Sequence, residues 1–77
     1  MLKAQNEAER MKNMAISIKA ARVNAGYTQA EVAERINKTK NTIASYESYA
    51  TYPDIKTAQA LAEIFGMPFD EIIWVQE

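Results

Sequence analysis

Apolar positions recur at helical spacing in several short runs, each closed by a turn-forming residue. Met14, Ile18, Ala21 and Ala25 stand three or four apart, which predicts a first helix from about Met14 to Ala25 with one buried stripe. Gly26 can take the left-handed conformation that closes it. Thr28 and Glu31 then form a T-x-x-E capping box, and Tyr27 before the cap can pack on Val32 as a hydrophobic staple. The second helix should turn Val32, Ala33 and Ile36 inward, and Asn37 is the expected turn residue because asparagine tolerates positive φ. Thr39 caps a third helix reaching about Ser48. Asp54 caps a fourth, running to about Phe65 with Ala58, Leu61, Ala62 and Phe65 inward, and Gly66 ends it. Pro68 suits the first position of a fifth helix, with Asp70 and Glu71 at the positive end of its dipole. Phe69, Ile72 and Ile73 would face the core or a partner. Residues 1–12 are polar with sparse apolar positions and read as a helical or frayed extension; residues 13–77 make one domain.

The second and third helices are joined so tightly that they must cross steeply, as in a helix-turn-helix. That arrangement puts the first turn of the third helix on the outside of the domain. At about 100° per residue, Thr42, Ile43 and Tyr46 share one side of this helix, while Lys40, Asn41, Ala44 and Ser45 share the other. The first side is core. The second holds no large apolar residue, as an exposed reading face would. Lysine donates to guanine O6 and N7, and asparagine pairs with adenine N6 and N7. Local sequence alone is equally consistent with two solvated polar residues at a helix start.

Composition narrows the class. A chain of 77 residues makes one small domain, with no cysteine for a disulfide or a thiolate metal site. It shows no apolar run long enough to span a bilayer and no apolar signal region, so a soluble cytoplasmic protein is expected. The net charge of −1 is unusual for a nucleic-acid binder, but it is unevenly spread. Residues 1–40 carry eight Lys or Arg against four Glu, and residues 41–77 carry one Lys against six acids. Phosphate affinity follows the local field, so the basic half containing the helix pair is the relevant one. The modest excess argues for weak binding by one copy and for a dimer. Histidine and cysteine are both absent, the serines have no evident base, the two glycines lie far apart and the acids lack a metal-ligand spacing. An enzyme, a cofactor or a metal site is not expected.

Taken together, Arg22, Gly26, Thr28-Gln29, Glu31, Ala33, Thr39, Thr42-Ile43, Glu47, Pro53, Leu61-Ala62 and Asp70-Glu71-Ile72-Ile73 give the stretch from about Met14 to Ile73 a family likeness. It resembles the Cro-type, lambda-repressor-like helix-turn-helix domains of phage repressors, also called the xenobiotic-response-element family. The resemblance implies an all-α, five-helix domain whose third helix enters the major groove. It places Gln29 on a phosphate and Lys40, Asn41 and Ser45 on base edges, and it pairs Arg22 with Glu47 as a scaffold linking the first helix to the end of the third. Three positions depart from the family pattern. Asn37 replaces a turn glycine, Lys38 replaces an apolar residue, and Tyr49 replaces a glycine common just past the third helix.

Other roles are less sharply defined. Ala44 could touch a thymine methyl or simply favour helix. Ser45 could bond a base, a phosphate or water. The N–H groups and dipole at the start of the second helix give Gln29 a mechanism for holding phosphate. Thr39, Lys38, Ser48 and Tyr49 complete the expected phosphate set, and Tyr52 could also rest its hydroxyl there. The grouping of Tyr46, Tyr49 and Tyr52 could alternatively stack on single strands, although Tyr46 shares a side with Ile43 and reads as core. The run Ile72-Ile73-Trp74-Val75 is too apolar for one helix face to hide, so Ile73, Trp74 and Val75 are the expected dimer seam, against the simpler reading of a finished core with Trp74 half exposed.

The expected function is sequence-specific regulation of transcription on double-stranded DNA, by a homodimer on a near-palindromic operator, with repression the commoner family mode. With no effector domain following, a small-molecule sensor is not expected, nor is a membrane partner. The alternative is a protein-interaction module such as an antitoxin or a bridging cofactor.

Overall fold

Each of the four α-helices among the described residues starts at a side chain that accepts a hydrogen bond from its own first turn. Ser17, Thr28, Thr39 and Asp54 receive the backbone N–H groups of Ala20, Glu31, Thr42 and Thr57. At Thr28 the box is reciprocal, because the Glu31 carboxylate accepts from the Thr28 N–H at 2.8 Å. Gly26 (φ 85°) and Gly66 (φ 68°) close the first and last helices in the left-handed region.

The computed structural model describes residues 15–76. The chain runs through β1 (Ile16–Ser17), α1 (Ile18–Ala25), α2 (Gln29–Arg35), α3 (Lys40–Glu47), α4 (Ile55–Phe65), one 3₁₀ turn (Phe69–Glu71) and β2 (Ile72–Ile73). The extension expected over residues 1–12, and Met14 of the first stripe, lie outside the described residues. Ile18, Val32, Ile43 and Leu61, one from each helix, are almost fully buried and form the centre of the core. Ala21, Ala33, Ala58 and Ala62 let the helices approach around them, and Tyr46, Phe65 and Ile72 complete the cluster. The inward positions of α4 are those its periodicity gives. Ile36 is only partly buried.

Two sequence expectations are corrected. Four α-helices are present among the described residues, and the fifth is not one of them. Pro68 is extended (ψ 143°), a single turn follows, and Ile72–Ile73 forms a strand parallel to Ile16–Ser17. Two β-branched residues in succession favour extended backbone. Pairing with β1 satisfies their peptide groups while Ile72 enters the core at 4% exposure. The same ladder shortens the first helix, which starts at Ile18 behind the Ser17 cap rather than near Met14.

The link from α2 to α3 turns on Asn37, whose φ of 57° is the left-handed value expected of it. The Lys38 N–H reaches back to the Ala33 carbonyl at 2.9 Å and closes the turn. Lys38 itself is exposed and lines a shallow groove with Tyr27, Ile36 and Ile64 against α4. Tyr27 packs on the core, and its ring also carries the Arg35 guanidinium 4.7 Å from its centroid.

Candidate nucleic-acid interface

The start of α3 projects from the body. Thr39, Lys40 and Asn41 are exposed, and Ala44 and Ser45, one turn further on, are partly exposed on the same side. The opposite side, through Ile43 and Tyr46, is buried. The core therefore dictates which face is left for an external partner. Thr39 spends its hydroxyl locally, accepting from the Thr42 N–H at 3.2 Å and sharing a hydrogen bond with the Thr42 hydroxyl at 3.0 Å. It is a cap first. Ser48 is exposed and donates its hydroxyl to the Ser45 carbonyl.

The far end of α3 is held by a cluster centred on Glu47. Arg22 Nε donates to Glu47 Oε2 at 2.6 Å, and a second guanidinium nitrogen donates to Oε1 at 3.2 Å. A third Arg22 donor reaches the Tyr27 carbonyl at 2.8 Å, so the guanidinium also ties the α1–α2 link. The Arg22 and Glu47 side chains are 11% and 5% exposed, so this is a nearly dry, bidentate pair. It is the pair that the family resemblance implies, and it ties the end of α3 to α1.

Two of the residues expected on phosphates have other engagements. The Gln29 amide nitrogen donates to Glu47 Oε1 at 2.9 Å, making Gln29 the third member of the cluster. What remains at Gln29 for an anion is its place at the start of α2, where the first N–H groups have no helical partners. The second is Tyr49. Its hydroxyl accepts from the Ile18 N–H at 3.3 Å and donates to the Ile73 carbonyl, so it is occupied inside the fold. Neither bond has a signal in sequence spacing. The Ser17 cap was overlooked too, although a serine before an apolar-periodic run could have marked it.

Charge near the start of α3 is set by Lys38 and Lys40, both exposed. Asp54 and Glu31 each accept a hydrogen bond at a helix start and stay charged. Hydrogen bonds from Thr57, side chain first and backbone N–H second, hold the Asp54 carboxyl below its ordinary range, with Lys38 and Lys56 adding a smaller pull. The Thr28 backbone N–H, and then its hydroxyl, do the same for Glu31. No grouping of three metal-ligating side chains occurs among the described residues, and no described helix is long and apolar enough to cross a membrane.

At the C-terminal end, Phe69, Ile73 and Val75 are 39%, 38% and 54% exposed. Trp74 is partly buried. Its ring stacks on Phe69 at 5.2 Å, and its indole N–H donates to the Phe69 carbonyl at 2.8 Å.

A short, tightly joined helix pair whose second member bares a polar first turn is the arrangement of a helix-turn-helix domain. The chain belongs to the Cro/C1-type helix-turn-helix family, which matches residues 18–72. It is 35% identical over 60 residues to the HTH-type transcriptional regulator ImmR of Bacillus subtilis, covering 78% of this chain and 47% of ImmR. It is 28% identical over 67 residues to the uncharacterized HTH-type transcriptional regulator YgzD of the same organism, covering 87% of this chain and 97% of YgzD. It is 36% identical over 56 residues to the cryptic phage CTXphi transcriptional repressor RstR of Vibrio cholerae, covering 73% of this chain and 50% of RstR. The chain thus spans about half the length of ImmR and RstR and nearly all of YgzD. No solved structure matches it at comparable significance.

Proposed function

We propose that this protein regulates transcription by binding double-stranded DNA in a sequence-specific way, with the start of α3 in the major groove. The observation that carries the reading is the exposed pair Lys40 and Asn41, on a helix whose other side is core and whose far end is locked by Arg22 and Glu47. Lys40 addresses a guanine, Asn41 an adenine, and Ala44 and Ser45 the next bases along the groove. Lys38, Thr39, the start of α2 at Gln29, and Ser48 face the flanking phosphates. The relatives named as transcriptional regulators and as a phage repressor support this assignment and favour repression.

The active form is a two-fold dimer on a near-palindromic operator. Isologous contact of the exposed Phe69, Ile73 and Val75, with Trp74 stiffening the patch, would cover apolar surface. It would set two copies of α3 about 34 Å apart, one turn of DNA. The few cations near the reading face also favour a dimer, because each phosphate neutralised adds about 0.9 to the salt slope and one copy offers few.

Titration against mixed-sequence duplex at several salt concentrations, followed by selection from random duplexes, tests the reading. The expected result is salt-dependent binding and a selected site with two symmetric halves. No binding at low salt in a dimeric sample would refute it and favour the protein-interaction module instead.

A further inference from the structure

Tyr49 has a backbone conformation that an aromatic residue rarely adopts. Its φ is 62°, in the left-handed region that favours glycine. The neighbouring peptide groups are well bonded, with the Tyr49 N–H on the Tyr46 carbonyl at 3.1 Å and the Ala50 N–H on the Ser45 carbonyl at 3.0 Å. A glycine would serve this turn without strain, so the side chain must return something for its presence. The return is visible at its hydroxyl. β1 and β2 pair through Ser17 and Ile73, and at Ile18 the chain turns away into α1. That divergence separates a donor, the Ile18 N–H, from an acceptor, the Ile73 carbonyl. The Tyr49 hydroxyl sits between them, accepting from the first and donating to the second. Its ring packs against the core.

One side chain therefore joins three parts of the chain: the end of the reading helix, the start of α1, and the strand leading into Trp74 and Val75. We propose that Tyr49 is a positioning residue that fastens the C-terminal segment to α3, and so sets the angle between the two reading helices when the protein pairs on DNA. The role rests on the homodimer reading above. It does not involve contact with DNA. The peptide turn alone cannot supply this link, because the nearest backbone groups of α3 end at the turn, whereas the phenol spans the gap to β2.

The test compares Tyr49→Phe, which keeps the ring and the strain but removes the hydroxyl, and Tyr49→Gly, which removes both, with the native protein. Each is titrated against a full palindromic site and against a single half-site. The selection experiment above supplies both duplexes. Tyr49→Phe is expected to raise the Kd for the full site about 5- to 30-fold, the range for losing one or two hydrogen bonds, and to leave the half-site Kd within about twofold. Tyr49→Gly should lose at least as much on the full site despite its relaxed backbone. Equal losses on both duplexes would mean Tyr49 only stabilises the fold, and would overturn the proposal. Native affinity in Tyr49→Gly would overturn it as well. If the native protein itself gains nothing from the second half-site, the homodimer reading fails separately. The clamp is then judged from amide exchange at Ile18, which must speed up at least about tenfold in Tyr49→Phe relative to the α4 amides. An unchanged rate there would remove the clamp too.

Discussion

Replacing Glu47 by alanine isolates the interaction that ties the end of α3 to α1. The carboxylate is 5% exposed and accepts three hydrogen bonds, two from Arg22 and one from Gln29. Alanine leaves the Arg22 guanidinium, itself 11% exposed, with the Tyr27 carbonyl as its remaining partner. Removing one member of a buried pair typically costs about 3–5 kcal/mol, because the other charge stays desolvated without compensation. A core of this size supplies rarely more than about 3–5 kcal/mol of net stability. Glu47→Ala should therefore be largely unfolded at room temperature, or have its thermal midpoint lowered by at least about 12 °C at roughly 4 °C per kcal/mol. Urea titration followed by far-ultraviolet circular dichroism measures the loss. The double variant Arg22→Met with Glu47→Leu should recover most of it, since apolar replacement of a whole buried pair is often neutral or stabilising. A Glu47→Ala loss under about 1 kcal/mol, the range of solvated surface pairs, would refute the claim that this cluster locks α3.

Three further outcomes are expected. Asn41→Ala should relax preference at one base pair in each half-site by about 1–3 kcal/mol in competition titrations, whereas a uniform loss across all duplexes would mean that Asn41 holds only backbone. Thr28→Ala removes one half of the α2 capping box and should cost about 0.5–2 kcal/mol in urea unfolding, with an unchanged midpoint contradicting the assignment. The folded protein holds the Glu31 and Asp54 carboxyls below their ordinary values of 4.5 and 3.8, so their contribution is full above those values and is lost as pH falls through and below them. The thermal midpoint should accordingly decline below about pH 4.5 and the decline should be smaller in Glu31→Gln; a flat profile in that window would contradict the bonding described.

Much of the domain could be read without coordinates because the information was local. Thr28 with Glu31, Thr39 before an alternating face, and Asp54 followed by Ala58, Leu61, Ala62 and Phe65 each announce a helix within one or two turns of chain. Asn37 marks its own left-handed turn. The exposed side of α3 also follows from periodicity, since burying Ile43 and Tyr46 leaves Lys40 and Asn41 outside. The Arg22–Glu47 pair was accessible only through family likeness, because nothing in the spacing of two such distant charges requires them to meet.

The two ends were decided by tertiary structure. Ile72-Ile73 looks like the inward side of a helix after Pro68, and only the nearness of Ile16-Ser17 makes it a strand. A two-residue ladder has no period to detect, and its stability comes from a partner at the other end of the chain. The same holds for Gln29, drawn to Glu47, and for Tyr49, whose hydroxyl finds two peptide groups that are neighbours only after folding. Caps and amphipathic stripes depend on residues a few positions apart, whereas these bonds depend on how the helices pack.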